Sequence, residues 1–439
     1  MINKILSGFL LKENIRASRK DLDDLRFSLL KKQLLHSYMN IPYYKKTFDE
    51  AGVHPEKFKS ITDLNLFPVI TKNIVRSNFS KLINQKAFLK NKFRSHTSGS
   101  TGQPMWTYYD MTSWIRKKYL VKARARMECG TKFNERIAIF ETASAGQTEK
   151  RNKSFLYGTF LSHVKVFSVF EPLDRTIKKL YRFSPQVLYG SPSYFFQLAQ
   201  FMVKNQVGIP SLKSLFTSSE YLQENVRNYI EKIFNANLYD VYGSTEFKEI
   251  AWECEMHEGY HINEDEVVVE VLNDGKPAYT GKPGNIVITD LRNTVMPLIR
   301  YQMHDKGMLL EKKCTCGRTF SLMKPYAGRS SEYIILPDNK ILSPYLFTTK
   351  IERINGLLQY QLIQTEKKKI IARIITNTGS FNQIAALMHK ILSGITNHLM
   401  EIKIEKCSDI ETEENGKFKV VKNLILEDPF GLESLQNSL

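Results

Sequence analysis

Several short segments of the chain gather residue types that could handle phosphate, ribose or metal. The stretch RSHTSGSTGQP, Arg94 to Pro104, sets Gly99 and Gly102 among the hydroxyls of Thr97, Ser98, Ser100 and Thr101. Glycines leave backbone N–H groups open to an anion, and the hydroxyls add donors. Its spacing is neither that of a Walker phosphate loop nor G-x-G-x-x-G, so alone it reads more simply as a flexible turn. DVYGSTEF, Asp240 to Phe247, puts Tyr242, the turn residues Gly243, Ser244 and Thr245, and Glu246 at the carboxyl end of an expected strand. Ligands of open α/β sheets settle there, an aromatic ring can stack on a base, and a carboxylate can hold Mg²⁺ against phosphate oxygens. In isolation, a loop tyrosine and a solvated glutamate would account for it. In TDLRNTVMPLIRYQMHDKG, Asp305 is expected just past an apolar strand, placed to accept hydrogen bonds from vicinal ribose hydroxyls. Arg329 in YAGRSSEYI and Lys417 in ENGKFKVVKN follow, the latter on a Gly–Lys turn that opens a strand.

A second chemistry is written in AWECEMHEGYHINED and KKCTCGR, which supply Cys254, His257, His261, Cys314 and Cys316. Thiolate and imidazole are the donors zinc takes in closed tetrahedral sites. The expected set is Cys254, His261, Cys314 and Cys316, with His257 as the alternative histidine and a structural role. Cys-x-Cys is a weaker signal than Cys-x-x-Cys, and buried free cysteines serve equally as packing. Cys129 and Cys407 read as packing residues.

The elements that must position these groups follow from the hydrophobic pattern. The first ninety residues read as helical, with apolar positions three and four apart in DLDDLRFSLLKKQLLHSYM. From about Arg136, strands (RIAIFE, HVKVFSVF, QVLYG, SLFTSS, NLYDVYG) alternate with amphipathic helices (SYFFQLAQFMV, QENVRNYIEKIF), the pattern of a parallel sheet covered on both faces. Four further strands, EVVVEVL, GNIVITDL, MPLIRYQ and GMLLEKK, make a strand-rich region. The tail from about Gly328 reads β-β-α-β-β with a helix near Asn382–Leu392. The expected class is therefore α/β, with a large domain over residues 1–327 and a small α+β domain over 328–439.

The 439 residues suffice for two domains, and a composition 42% hydrophobic and 25% charged argues against disorder. The net charge of +18 favours anionic company. The lysines are scattered, so a specific nucleic-acid surface is not expected. No apolar run approaches the roughly 20 residues needed to cross a bilayer. Ile5, Leu6, Phe9 and Leu10 would share one helix face, expected to pack on the protein, with peripheral membrane association as the other reading. Lys12 follows at once without a small-residue cleavage site, so no signal peptide is expected. Five cysteines spread over the chain fit a reducing cytoplasm rather than a disulfide framework.

Taken in order and register, these motifs resemble the adenylate-forming superfamily, more closely its phenylacetate–CoA ligases, and most closely their capsular-polysaccharide branch. IPYYKKTF, YGSPSYFFQLA, TSSEYL and MPLIRY add to the likeness, which runs from Leu29 to Leu424. The resemblance implies an ATP- and Mg²⁺-dependent enzyme: a carboxylate forms an acyl-adenylate, and a thiol, usually coenzyme A, displaces AMP. It implies that Thr97, Ser98, Gly99, Ser100, Thr101 and Gly102 grip the β- and γ-phosphates and that Glu246 carries Mg²⁺. Tyr242, with Gly243 to Thr245, and Ser219–Glu220 would line the adenine slot, while Asp305 and Arg329 would hold the ribose. Lys417 would bridge the acyl carboxylate and the α-phosphate, raised above Lys419 and Lys422 by its place in NGKFKVV. A hinge is implied at Gly328–Glu332, some relatives carry zinc at C-x-C-G-R, and surface-polysaccharide assembly is the implied setting. The acid pocket is expected near Phe140–Gly146 and Tyr189–Ser193.

Two positions depart from the pattern. His304 stands where relatives have glycine, which is expected to alter nucleotide affinity, and Glu332 replaces an aspartate. Other readings are transfer of the adenylate to a carrier-protein thiol or an amine, and a basic binding protein on a degenerate ligase fold.

Overall fold

The structure, a computed structural model, describes residues 14–88, 93–96, 105–132, 134–153, 163–329, 334–338, 340–342, 344–377, 381–413 and 418–425. The chain divides into two compact units, each built from two stretches of sequence. Met1–Gly130 joins Val241–Pro325, and Thr131–Asp240 joins Tyr326–Leu439.

The first unit opens with helices, as the apolar spacing predicts. α1 (Arg19–Asn40) starts where the Ser18 side chain accepts from the Asp21 amide, and it buries Leu22, Leu30 and Leu34. α2 (Pro42–Glu50) begins with proline, whose missing donor costs nothing in a first turn, and buries Tyr44 and Phe48. A hairpin of β1 (Phe93–His96) and β2 (Trp106–Tyr109) follows, paired from Phe93↔Tyr109 to His96↔Trp106. Then comes α3 (Val121–Glu128).

The second unit takes up the chain with β3 (Ile137–Glu141), β4 (Val164–Ser168), α4 (Leu173–Phe183), β5 (Val187–Gly190), α5 (Pro192–Asn205), β6 (Ser214–Ser218) and α6 (Glu224–Phe234). β3 pairs in parallel with β4 and β5, and β5 with β6, so the expected parallel sheet is present. α4 turns Thr176, Ile177, Leu180 and Phe183 inward and stops at Ser184, in the left-handed region.

β7 (Asn237–Ser244) contains the unit boundary, between Asp240 and Val241. After it the first unit adds β8 (Lys248–Glu253), β9 (Tyr260–Ile262), β10 (Val267–Asn273), β11 (Lys276–Pro277), β12 (Gly284–Asp290), β13 (Tyr301–Leu309) and the start of β14 (Leu322–Arg329), whose last residues from Tyr326 belong to the second unit, in the order β11-β10-β12-β13-β14-β9-β8-β7. Its core joins Leu30, Leu34, Tyr44 and Phe48 to Val267, Ile286, Ile288 and Tyr301.

One expectation is corrected here. MPLIRYQ and GMLLEKK are not two strands: Met296–Arg300 lies outside any strand, and β13 runs unbroken from Tyr301 to Leu309. Arg300 turns the chain into the strand with φ +49°. Its guanidinium is tied to Glu270 (2.9 and 3.1 Å) and to the Asn65 and Phe67 carbonyls. Tyr44 holds the same segment, donating to the Pro297 carbonyl and accepting from the Ile299 amide. Tertiary clamps override the strand propensity of MPLI.

The rest of the second unit comprises β15 (Ile334–Ile335), β16 (Ile341–Leu342), α7 (Pro344–Ile351), β17 (Leu357–Glu366), β18 (Lys369–Thr376), α8 (Phe381–Ile395), β19 (Glu401–Lys406) and β20 (Val421–Asn423). Four strands form a sheet in the order β19-β18-β17-β20. α8 matches the expected helix, whereas α7 was not foreseen. α6 packs on β17, with Gln223 donating to the Tyr360 carbonyl and Asn225 to the Leu357 carbonyl. One apolar core joins Leu215, Val226 and Ile230 to Tyr360, Leu362 and Ile374. Among the described residues no helix is long and apolar enough to cross a membrane.

Candidate active site

In the first unit the hairpin and the STEF turn are locked together. Thr97, Ser98, Gly99, Ser100, Thr101 and Gly102 lie outside the described residues, but the strands on either side of them are described. Tyr109 donates from its hydroxyl to the carbonyls of Thr245 (2.9 Å) and Glu246 (2.7 Å). Ser95 donates to the Thr245 carbonyl at 3.2 Å. Lys248 Nζ donates to both Ser95 Oγ and the Thr245 carbonyl, each at 2.8 Å. The stem of the glycine–hydroxyl segment and the turn bearing Glu246 are therefore tied together through Tyr109, Ser95 and Lys248.

The turn itself needs glycine at 243. A Cβ there would sit 2.4 Å from the Lys248 carbonyl oxygen, closer than any side chain allows. Gly243 opposes Glu249 across an irregularity in the β7–β8 register, and Lys248 enters β8 at φ +65°. Glu246 is 7% exposed, and one carboxylate oxygen accepts from Tyr301 at 3.2 Å. It is a buried acceptor, unlike the solvated glutamate of the plainer reading. Burial pushes the Lys248 ammonium down to about 8, helped by Lys118, Lys117 and Lys122 and opposed by Glu246. Nothing in its sequence position marked Lys248; its signal is spatial.

Tyr242 and Asp305 meet, with the phenol donating to Asp305 Oδ2 at 2.9 Å. Asp305 is not past a strand, as expected, but inside β13. Asn285 opposes Lys306 and Val287 opposes Gln302, so Met303, His304 and Asp305 together face Ile286 alone. Such a bulge re-aims side chains out of the pleat, which explains how a mid-strand aspartate can reach Tyr242. His304 shares the bulge. Arg329 closes β14.

In the second unit, Ser219 follows β6 with φ +80°, a strained conformation for a residue other than glycine. Glu220 beside it is already engaged. Its carboxylate accepts from Ser193 Oγ (2.9 Å), the Ser193 amide (3.1 Å) and the Phe418 amide (3.0 Å). Lys417 lies outside the described residues, as do 330–332 of the expected hinge. Of the expected acid pocket, Phe140 is core, its ring centroid 4.8 Å from that of Tyr194 and 5.5 Å from that of Phe167.

The metal-type residues of the first unit also converge. One ligand atom each from Cys254, His261, Cys314 and Cys316 lies within 4.8 Å of the others. Cys254 Sγ and Cys314 Sγ are 3.6 Å apart, and Cys316 Sγ is 3.4 Å from His261 Nε2. A tetrahedral zinc with thiolate bonds of about 2.3 Å would space its donors by roughly 3.8 Å. His261 Nδ1 lies 3.1 Å from the Phe320 carbonyl, which can only accept, so Nε2 is left with its lone pair toward the thiols. Burial pushes this imidazole down to about 4, keeping it neutral. Burial raises all three thiols; at Cys316 hydrogen bonds from Arg318 outweigh it and lower the thiol, whereas Cys254 and Cys314 stay raised. The donor set fits zinc. His257 stands apart, 3.5 Å from Glu253, and Cys129 donates to the Glu253 carbonyl.

Residues 334–424 match the family described as the CapK C-terminal domain. A phenylacetate-coenzyme A ligase of Escherichia coli (strain K12) is 29% identical over 344 residues, 73% of this chain and 74% of the relative. Protein CapK of Staphylococcus aureus is 25% identical over 356 residues, 79% and 76% of the two chains. Among solved structures, 2-hydroxyisobutyryl-CoA ligase in its postadenylation state superposes with a TM-score of 0.76 at 18% identity, covering 97% of this chain and 94% of that one.

Proposed function

We propose, for a chain with the fold of the adenylate-forming ligases and a CapK C-terminal domain within it, an acid–thiol ligase that activates a carboxylic acid with ATP. In the first step a carboxylate oxygen attacks the α-phosphorus, the bond to the β-phosphate oxygen breaks, and pyrophosphate leaves. In the second, the sulfur of coenzyme A attacks the acyl carbon, AMP departs, and the thiol proton goes to solvent. The observation that carries this reading is the locked pair in the first unit: hairpin stem, Glu246 turn and Lys248 in one hydrogen-bonded body. Such a frame fixes Glu246 and Lys248 beforehand, and charged groups fixed beforehand cost little reorganisation when charge develops on phosphate.

The roles are those the family likeness assigns. Thr97 to Gly102 hold the β- and γ-phosphates, Glu246 carries Mg²⁺, Asp305 and Arg329 take the ribose, and Ser219 with Tyr242 faces adenine. Mg²⁺, when bound, supplies positive charge to the leaving pyrophosphate. Lys417 neutralises the two approaching anions, a point charge on a flexible stem. The segment after Gly328 turns between the two steps. That rotation has to release the Gln223–Tyr360 and Asn225–Leu357 bonds, about 1 kcal/mol net each. The five cysteines are free thiols, in keeping with a cytoplasmic setting, and surface-polysaccharide assembly follows from the CapK likeness.

The test is pyrophosphate release over a panel of carboxylic acids that includes phenylacetate, with and without coenzyme A. One acid should give release, and Lys417→Ala should cut it by about 10² or more while the fold is kept. Release without thioester in the presence of coenzyme A would redirect the acceptor to a carrier thiol or an amine. No release with any acid, alongside salt-sensitive retention on heparin, would overturn the reading in favour of a basic binding protein.

A further inference from the structure

The turn that carries Cys314 and Cys316 is shaped first by its own backbone. The Gly317 amide donates to the Cys314 carbonyl at 3.3 Å, and Gly317 takes φ +78°, which glycine reaches without strain. The next amide, that of Arg318, donates to Cys316 Sγ at 3.5 Å. Carboxylates then hold the turn from outside. Glu258, partly exposed, accepts from the Thr315 amide at 2.8 Å. The deeper hold is the buried Arg318 side chain. Its Nε donates to Glu128 Oε2 (3.1 Å), one terminal nitrogen to the Glu128 carbonyl (2.7 Å), and the other to both oxygens of Glu255 (2.9 Å each). Forked, charge-assisted bonds of this kind fix geometry as well as adding energy. Glu255 directly follows Cys254, and Arg318 comes two places after Cys316. One guanidinium thus ties the two cysteine segments to each other and to the end of α3. It also lies over Trp252, 5.8 Å from the ring centroid, and that ring is 5.3 Å from the ring of His261.

We propose that Arg318 is the positioning residue of this metal centre, setting Cys254 and the Cys314–Cys316 turn at the spacing a tetrahedral ion needs before the ion arrives. The inference rests on the fit of the four donors to zinc, and not on the ligase reading. Donors already in place lose less freedom on taking up an ion, which strengthens binding. Groups that orient a metal's ligands from behind typically account for about 10- to 100-fold in affinity. Lysine would keep the charge of Arg318 but not the clasp, since a point charge on one stem cannot span Glu128 and Glu255 together. Geometry, rather than charge alone, is what this side chain contributes.

The experiment strips the purified full chain with a chelator and titrates it with Co²⁺, following thiolate-to-cobalt absorption. Zn²⁺ affinity is then measured by competition with a coloured chelator. In Arg318→Met the zinc affinity should fall on the order of 10- to 100-fold, with weaker thiolate absorption per bound cobalt, and Arg318→Lys should recover only a small part of the loss. The control is Arg16→Met. Arg16 bonds the same Glu128 (2.7 and 3.0 Å) from a largely exposed site but does not bond the turn, so zinc affinity there should stay within about threefold. An affinity in Arg318→Met within about twofold of wild type, full recovery with lysine, or an equal loss in Arg16→Met would overturn the proposal. Should Arg318→Met unfold the chain, Glu255→Gln decides. It loosens the exposed side of the clasp, so zinc affinity should drop several-fold, and an unchanged affinity would count against Arg318. A wild-type chain that takes up neither metal overturns the zinc reading along with this one. A wild type that binds metal, beside variants that bind it equally well, overturns this inference alone.

Discussion

Lys248 is held by groups that disagree about its proton. Burial and the lysines at 117, 118 and 122 disfavour its charge, Glu246 favours it, and the balance lowers it from 10.5 to about 8. Between those two values the unfolded chain holds more protons than the folded one, so this residue's contribution to stability grows as pH rises through that window. If the segment after Ser95 binds phosphate as proposed, the sign is reversed for ligand binding, because the cation bonded to Ser95 is lost above about 8. The KM for ATP should rise several-fold from about pH 7 to about pH 9.5, and Lys248→Arg, which stays protonated, should flatten the rise. A parallel rise in the arginine variant would remove Lys248 from the phosphate site. At this scale the sequence disclosed residue types but not commitments. Glu246 and Asp305 stood out by type as candidate carboxylates, and their metal and ribose roles are proposals. The bonds of Lys248 to Ser95 and of Glu220 to Phe418 were not legible, since their partners lie 153 and 198 residues away and no local pattern encodes them.

Among the elements, those that follow from local rules were legible. The parallel strands announced themselves as short apolar runs between amphipathic helices, and α8 as a periodic segment. MPLIRYQ misled because Arg300 and Tyr44 hold it from outside, a tertiary effect that no propensity carries. The four candidate zinc ligands were legible by type and pairing, and the choice of His261 over His257 is set by β9, which places His261 opposite Leu322 and Trp252. If zinc joins β8, β9 and the 314–316 turn, purified protein should hold about one zinc per chain by elemental analysis. Cys314→Ser should lose it and melt several degrees lower, while keeping most of its activity at a permissive temperature. Metal-free protein with an unchanged melting temperature would leave the four side chains as packing alone.

For the whole molecule, the net charge of +18 suits a protein that takes nucleotide and coenzyme, without saying which. What the sequence could not disclose is that Thr131–Asp240 and Tyr326–Leu439 share one apolar core, because such sharing is a property of packed surfaces rather than of either stretch. A chain ending at Pro325 loses Leu357, Tyr360, Leu362 and their neighbours from that core. It should melt at a lower temperature than the full chain and bind more of a hydrophobic dye. Equal melting of the two would mean that the C-terminal stretch contributes little to the stability of the unit it completes.

The irregularity in β13 has an arithmetic of its own. Four steps from Gln302 to Lys306 answer two steps from Val287 to Asn285, so the surplus is even. An even surplus returns the alternation of faces unchanged, and the residues before and after the detour stay on the sides they would occupy without it. Shortening the detour by a pair of residues would yield a smoother ribbon that has lost its aspartate, whereas removing a single residue would turn everything downstream inside out.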